Sequence, residues 1–202
     1  MEDRIAEIYQ SLENNLYQSA LALALTIPDI CGQIEYPKLI NKKTGNRLVG
    51  KQYKRWFREW VEHYYADETG WTKDYKFAKN PYFTAKMCYD LRCSFLHSGN
   101  DDIDEYGETE DQNFYFVYNF ELCINGTDSI QERWSESDKV NNKTIKHLLV
   151  RIEIVDLCRN ICRAAENYYQ KKGAKYFEDK KVSILDIDKE WNKIHQLNKS
   201  MD

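Results

Sequence analysis

The chain reads as a mainly α protein, an up-and-down helical bundle with a small β-hairpin inserted before its last long helix. Three observations predict this class. Apolar residues recur at spacings of three and four over four separate segments, the period of an amphipathic helix. One segment, 113–124, abandons that period for a run of aromatic and β-branched residues. With 8 Gly and 3 Pro in 202 residues, the chain lacks the turn density of an all-β sandwich and the composition of a low-complexity linker.

The first helix is expected over residues 2–26, where Ile5, Ile8, Leu12, Leu16, Ala20 and Leu23 form the stripe. Its end, Ala20 to Leu25, is apolar all round and therefore expected to be buried on several sides. Pro28 and Gly32 bracket either a break or a short helix over 28–33 with Pro28 in its first turn. Residues 36–50 read as irregular, and a second helix at about 50–66 carries Tyr53, Trp56, Phe57, Trp60, Val61 and Tyr64. A polar connection over 67–80 leads to a third helix at about 82–97, with Phe83, Met87, Leu91 and Phe95 inside and Ser98-Gly99-Asn100 as its stop. Segment 101–111 is acidic with no basic residue and is expected to be a solvated loop. The hairpin is placed roughly at 113–134, turning at Asn125-Gly126. The longest helix is expected from about 142 to 172, its stripe running from Ile145, Leu148, Leu149 and Ile152 to Cys158, Ile161 and Cys162, with Gly173 ending it. The helical domain is thus 1–173, and 174–202 is a charged tail or short docking helix whose Ile184, Leu185, Ile187, Trp191 and Ile194 can dock.

Composition narrows the function classes. A net charge of −4 excludes a uniformly basic nucleic-acid binder and leaves room for a local basic face. The apolar stretches fall short of the ~18 residues of a membrane helix. The opening Met-Glu-Asp-Arg has no apolar signal core, so a cytoplasmic protein with no membrane partner is expected. Six cysteines (31, 88, 93, 123, 158 and 162) form no C-x-x-C pair and read as free thiols, with Cys158 and Cys162 on a core stripe. There is no glycine-rich phosphate loop, no H-E-x-x-H and no G-x-S-x-G, and the four His show no metal-ligand spacing. No metal site and no cofactor are expected.

The chemistry-bearing stretch is Tyr89 to Gly99, which sets Arg92 and His97 five apart at the end of a helix, with no acid between them. In the last turn the macrodipole favours the imidazolium form of His97. Arg58 and His63 share the spacing, but Glu59 and Glu62 lie between them and compete with a phosphate for the cations. That pair is expected to form surface ion pairs. Asp90, the nearest acid to Arg92, offers a salt bridge to that Arg if the pair is only a helix-end feature.

Three blocks in order, Leu23–Gly32 (L-A-L-T-I-P-D-I-C-G), Lys54–Phe57 (K-R-W-F) and Cys88–His97 (C-Y-D-L-R-C-S-F-L-H), resemble a bacterial branch of the HEPN superfamily, whose hallmark is Arg-x4-His. The likeness covers roughly residues 15–100. It implies a metal-independent endoribonuclease that works as a homodimer, with Arg92 as the electrostatic clamp and His97 as base or acid for attack by a 2′-hydroxyl. Asp90 or Ser94 would orient the imidazole. It also implies a toxin or effector of bacterial defence or a toxin–antitoxin system, with an antitoxin protein as a partner. RNA needs a docking surface, and residues 38–58 carry eight positive and no negative charges. Of these, Lys42, Lys43, Arg47, Lys51, Lys54 and Arg55 are the expected RNA-binding rim. Trp56 and Phe57, interleaved with them, are read as core. The alternative is a non-catalytic HEPN module binding RNA, a nucleotide or a partner protein, favoured by Cys93 standing where the superfamily usually carries a polar residue after the Arg.

Overall fold

A computed structural model describes residues 1–66, 81–99, 106–108, 114–138, 143–180 and 182–192. Its elements run α1 (Glu2–Glu13), α2 (Tyr17–Ala24), α3 (Ile27–Glu35), α4 (Val49–Trp60), α5 (Ala85–Cys93), β1 (Tyr106–Glu108), β2 (Phe114–Cys123), β3 (Ser129–Asp138), β4 (Lys143–Glu153) and α6 (Ile154–Lys172).

The helix expected over 2–26 is two helices. Asn15 turns the chain with a left-handed φ of 58°, a region asparagine enters more readily than most residues. α1 buries Ile5, Ile8 and Leu12, and α2 buries Ala20, Leu21 and Ala24. α3, with Pro28 in its first turn, lies hard against α4. A Cβ on Gly32 would stand 2.6 Å from the backbone oxygen of Gln52, so only glycine permits this approach. α4 ends at Trp60, and a 3-10 turn, Glu62–Tyr65, follows. The expected connection over 67–80 lies outside the described residues. α5 opens with Thr84 as its cap, the hydroxyl accepting from the Met87 N–H at 3.2 Å. Glu62 accepts from the Ala85 N–H at 2.8 Å, satisfying a second orphan donor of that first turn.

The bundle with a hairpin insertion is overturned by the sheet. Three long strands and the short β1 form one mixed sheet in the order β1-β2-β4-β3. β2 runs parallel to β4, and β3 runs antiparallel to β4. β4 therefore separates β2 from β3, and the Asn125-Gly126 turn closes no hairpin. Residues 143–153, expected as the first turns of the last helix, are that central strand. His147, Leu149, Val150 and Ile152 are all buried along it. A strand covered on both faces loses its alternation, and a two-sided apolar run cannot be told from a helix by period alone. The helix begins one residue later than the strand ends, at the cap Glu153, whose carboxylate accepts from the Asp156 N–H at 2.7 Å. Part of the expected acidic loop is also strand: Tyr106–Glu108 pairs with Phe116–Tyr118 of β2. The rest of 101–111 lies outside the described residues.

The core joins the helices to one face of the sheet. Phe57 meets Phe83 edge-on, and Phe83 meets Phe120 of β2. Trp56 and Trp60 both pack on Tyr168 of α6. After Gly173, a 3-10 turn over Ala174–Lys180 returns Phe177 to the core against Tyr168 and Tyr169. Ile184, Leu185, Ile187 and Trp191, expected to dock, stand exposed, and Ile194 lies outside the described residues. Among those residues no helix is long and apolar enough to cross a membrane.

Candidate functional site

Arg92 occupies the last turn of α5. In a regular α-helix, residues five apart diverge by about 140° around the axis, so Arg92 and His97 would not meet. The chain instead widens into a π-helical turn, Ser94–Ser98, in which the N–H of Gly99 bonds the carbonyl of Ser94, five residues back. That wider turn stacks residue i+5 over residue i. Gly99 ends it in the left-handed region, at φ 69°. As a result Arg92 Nη1 lies 2.9 Å from His97 Nε2. A guanidinium only donates, so Nε2 is the acceptor and the neutral ring carries its proton on Nδ1. His97 is exposed, whereas the Arg92 side chain is 16% exposed.

Behind Arg92 stands Asp29, in the first turn of α3, which the sequence reading did not single out. Its Oδ1 accepts from Arg47 Nη2 at 2.7 Å, and its Oδ2 lies 3.8 Å from Arg92 Nη2. Arg47 is held in turn, its Nε donating to Gln52 Oε1 at 2.9 Å. Gln52 is fully buried and donates to the carbonyls of Tyr36 and Leu39. A continuous polar chain, Gln52–Arg47–Asp29–Arg92–His97, thus leads from inside α4 to solvent. The Nε of Arg92 is buried with no hydrogen-bond partner. One signal in the sequence pointed this way: Asp29 is the only charged residue in the block Leu23–Gly32.

Asp90 pairs with Lys86 at 2.9 Å, one turn back along α5, and Asp29 takes the place beside Arg92. Ser94 contributes its backbone carbonyl to the wide turn. Lys42 and Lys43 are exposed on a tight loop closed by the Ile40–Arg47 bridge, where Asn41 Oδ1 accepts from the Lys43 N–H at 2.9 Å. Lys51 is exposed on α4. Lys54 stands 5.5 Å over the ring of Tyr89. Arg55 lies over the ring of Tyr36 and bonds Glu59 at 3.3 Å. Trp56 and Phe57 are fully buried, which removes them from any base-stacking surface. Cys93 lies beside Tyr89, whose hydroxyl is pushed up first by burial and then by that thiol. Burial pushes the Cys88 and Cys162 thiols up to about 12, and Cys158 is raised by burial too. Such thiols pack as apolar groups.

The second Arg-x4-His pair behaves differently. Arg58 is 3.9 Å from Glu62, and His63 sits on the 3-10 turn with burial lowering its pKa. Compared with known proteins, the chain matches no family model, no curated sequence and no solved structure.

Proposed function

We propose that the chain is an endoribonuclease of the HEPN type, cleaving RNA without a metal ion, with Arg92 and His97 as its catalytic pair. The observation that carries this reading is their 2.9 Å contact on a solvent-facing turn. The lysine-bearing loop rooted at Arg47 is tied to the same carboxylate that adjoins Arg92, which supports RNA as the ligand. In the reaction the 2′-hydroxyl loses its proton as its oxygen attacks the neighbouring phosphorus. The bond to the 5′-oxygen breaks, that oxygen takes up a proton, and a 2′,3′-cyclic phosphate remains. His97 Nε2 is the base once the Arg92 N–H groups turn to the phosphate, where they neutralise the developing charge. One protomer brings one such histidine, and a two-fold homodimer would supply the acid from a second copy. On this reading the protein is a cytoplasmic effector of bacterial defence, restrained by an antitoxin protein.

The test is cleavage of RNA in EDTA with product analysis. His97→Ala is expected to lower the rate by at least about 100-fold, the scale of a lost general base, and His63→Ala to leave it unchanged. Equal rates for the two variants would remove Arg92 and His97 from the site. A second reading, a non-catalytic HEPN module binding RNA, a nucleotide or a partner protein, draws support from the engagement of Arg92 and His97 with each other. RNA binding that survives His97→Ala, with no cyclic-phosphate product from the wild type, selects it.

A further inference from the structure

We infer that Asp29 is the positioning residue of this site. Its carboxylate, pinned by Arg47, holds Arg92 so that Nη1 points at His97 and fixes which imidazole nitrogen keeps a lone pair. Three observations converge. Asp29 Oδ1 is bound to Arg47 at 2.7 Å, with Arg47 anchored on the fully buried Gln52, so the carboxylate is held from its far side. Asp29 Oδ2 faces Nη2 of Arg92 at 3.8 Å, an ion pair without a direct hydrogen bond. Arg92 has no partner at its buried Nε, so its hydrogen bond to His97 and the field of Asp29 are what orient the guanidinium. The 3.8 Å spacing matters: Arg92 is aimed by charge yet not tied down, and an arriving phosphate can draw it off Nε2. Neutral imidazole in water prefers its proton on Nε2. The arrangement here needs the opposite tautomer, with Nε2 bare and Nδ1 protonated. Asp29 thereby prepares the lone pair that a 2′-hydroxyl must meet, without itself reaching substrate.

This inference rests on the endoribonuclease reading for its catalytic meaning but has a readout of its own. The full-length chain, labelled with 15N-histidine, is examined by long-range 1H–15N correlation at pH about 8, above the range in which a free imidazole titrates. In the wild type, His97 Nε2 is expected at the bare-nitrogen shift and Nδ1 at the protonated one. Asp29→Asn keeps the shape, removes the charge, and is expected to return His97 to a majority of the Nε2–H form. Asp29→Glu is expected to recover part of the wild-type pattern. Should Asp29→Asn fail to fold, Arg47→Gln loosens the same carboxylate from its other side and is expected to shift the tautomer the same way. A wild-type tautomer pattern in a folded Asp29→Asn chain, or in Arg47→Gln where that variant replaces it, overturns the inference. If RNA is cleaved, Asp29→Asn should lower kcat about tenfold with KM within about twofold, the signature of a group that aligns catalysis rather than binds substrate. If RNA is not cleaved by the wild type, the endoribonuclease reading falls while the tautomer result still decides the role of Asp29.

Discussion

Arg92 carries a full charge to a position where few partners reach it. A buried guanidinium N–H without an acceptor costs about 1–3 kcal/mol, and such a group in a folded protein marks either stored strain or a task. The neighbours that make the position tenable meet through one glycine. Gly32 lets α3 approach α4 so closely that any side chain would strike backbone, which does not bend away as a flexible side chain would. The same approach brings Asp29 of α3 within reach of Arg47, which Gln52 of α4 holds in turn. Gly32→Ala should therefore destabilise the fold by about 2 kcal/mol or more in urea unfolding, the range of overpacked cores. Gly45→Ala, at φ 73° with open space around it, should cost about 1 kcal/mol from backbone strain alone. Equal losses for the two would mean that the helices do not meet as tightly as 2.6 Å implies. At this scale, Arg92 and His97 were legible in the sequence because their spacing is local. Asp29 was not, because a carboxylate's partner across 63 residues of chain leaves no periodic trace, only an isolated charge in an apolar block.

Elements were legible to different degrees. α4 and α5 each present one buried stripe, so their period survives, and sequence and structure differ at their ends, where a 3-10 turn and a π turn take over; for α3, Pro28 and Gly32 leave a break and a short helix equally open. The break at Asn15 was missed because the stripe continues in phase across it. β4 was missed because it is buried on both faces, and the sheet topology because nothing local declares that β4 inserts between β2 and β3. The loop joining β2 to β3 is anchored elsewhere. Asp128 Oδ1 accepts from the Glu153 N–H at 2.7 Å, and Oδ2 accepts from the Tyr82 hydroxyl at 2.8 Å. One side chain thus ties the strand connection to the junction of β4 with α6 and to the approach to α5. Asp128→Ala should cost about 2 kcal/mol, two charge-assisted bonds with partners left unpaired. It should also speed amide exchange at Glu153 more than at Ile161. A loss under about 0.5 kcal/mol, the range of ordinary surface changes, would make the loop a passive link.

At the scale of the whole molecule, one carboxylate joins α3 to α6. Glu35, at the end of α3, accepts from the Tyr168 hydroxyl at 2.9 Å and from Lys172 Nζ at 2.8 Å, both on the last turns of α6. Burial pushes the Glu35 carboxyl up, but the Lys172 and Tyr168 hydrogen bonds and the lysine charges outweigh it and hold it below the usual value of 4.5. A carboxyl depressed on folding binds fewer protons in the folded state than in the unfolded one. Its stabilisation is thus complete above the unfolded value and is lost as pH falls through the lower folded value. Glu62 acts with the opposite sign: burial raises its pKa against the Ala85 N–H and Arg58, so the folded state takes up its proton more readily. The net acid profile mixes the two, and a single variant separates them. Glu35→Gln should cost about 1 kcal/mol at pH 7, a charged hydrogen bond discounted for partial exposure. The gap from wild type should narrow as pH drops below about 4, where the wild-type carboxyl is losing its own charge. Urea midpoints at pH 7, 5 and 3.5 measure it. A gap that stays constant across that range would show that Glu35 holds α3 to α6 by shape and neutral hydrogen bonding, and that the site at the other end of α3 is braced without help from its charge.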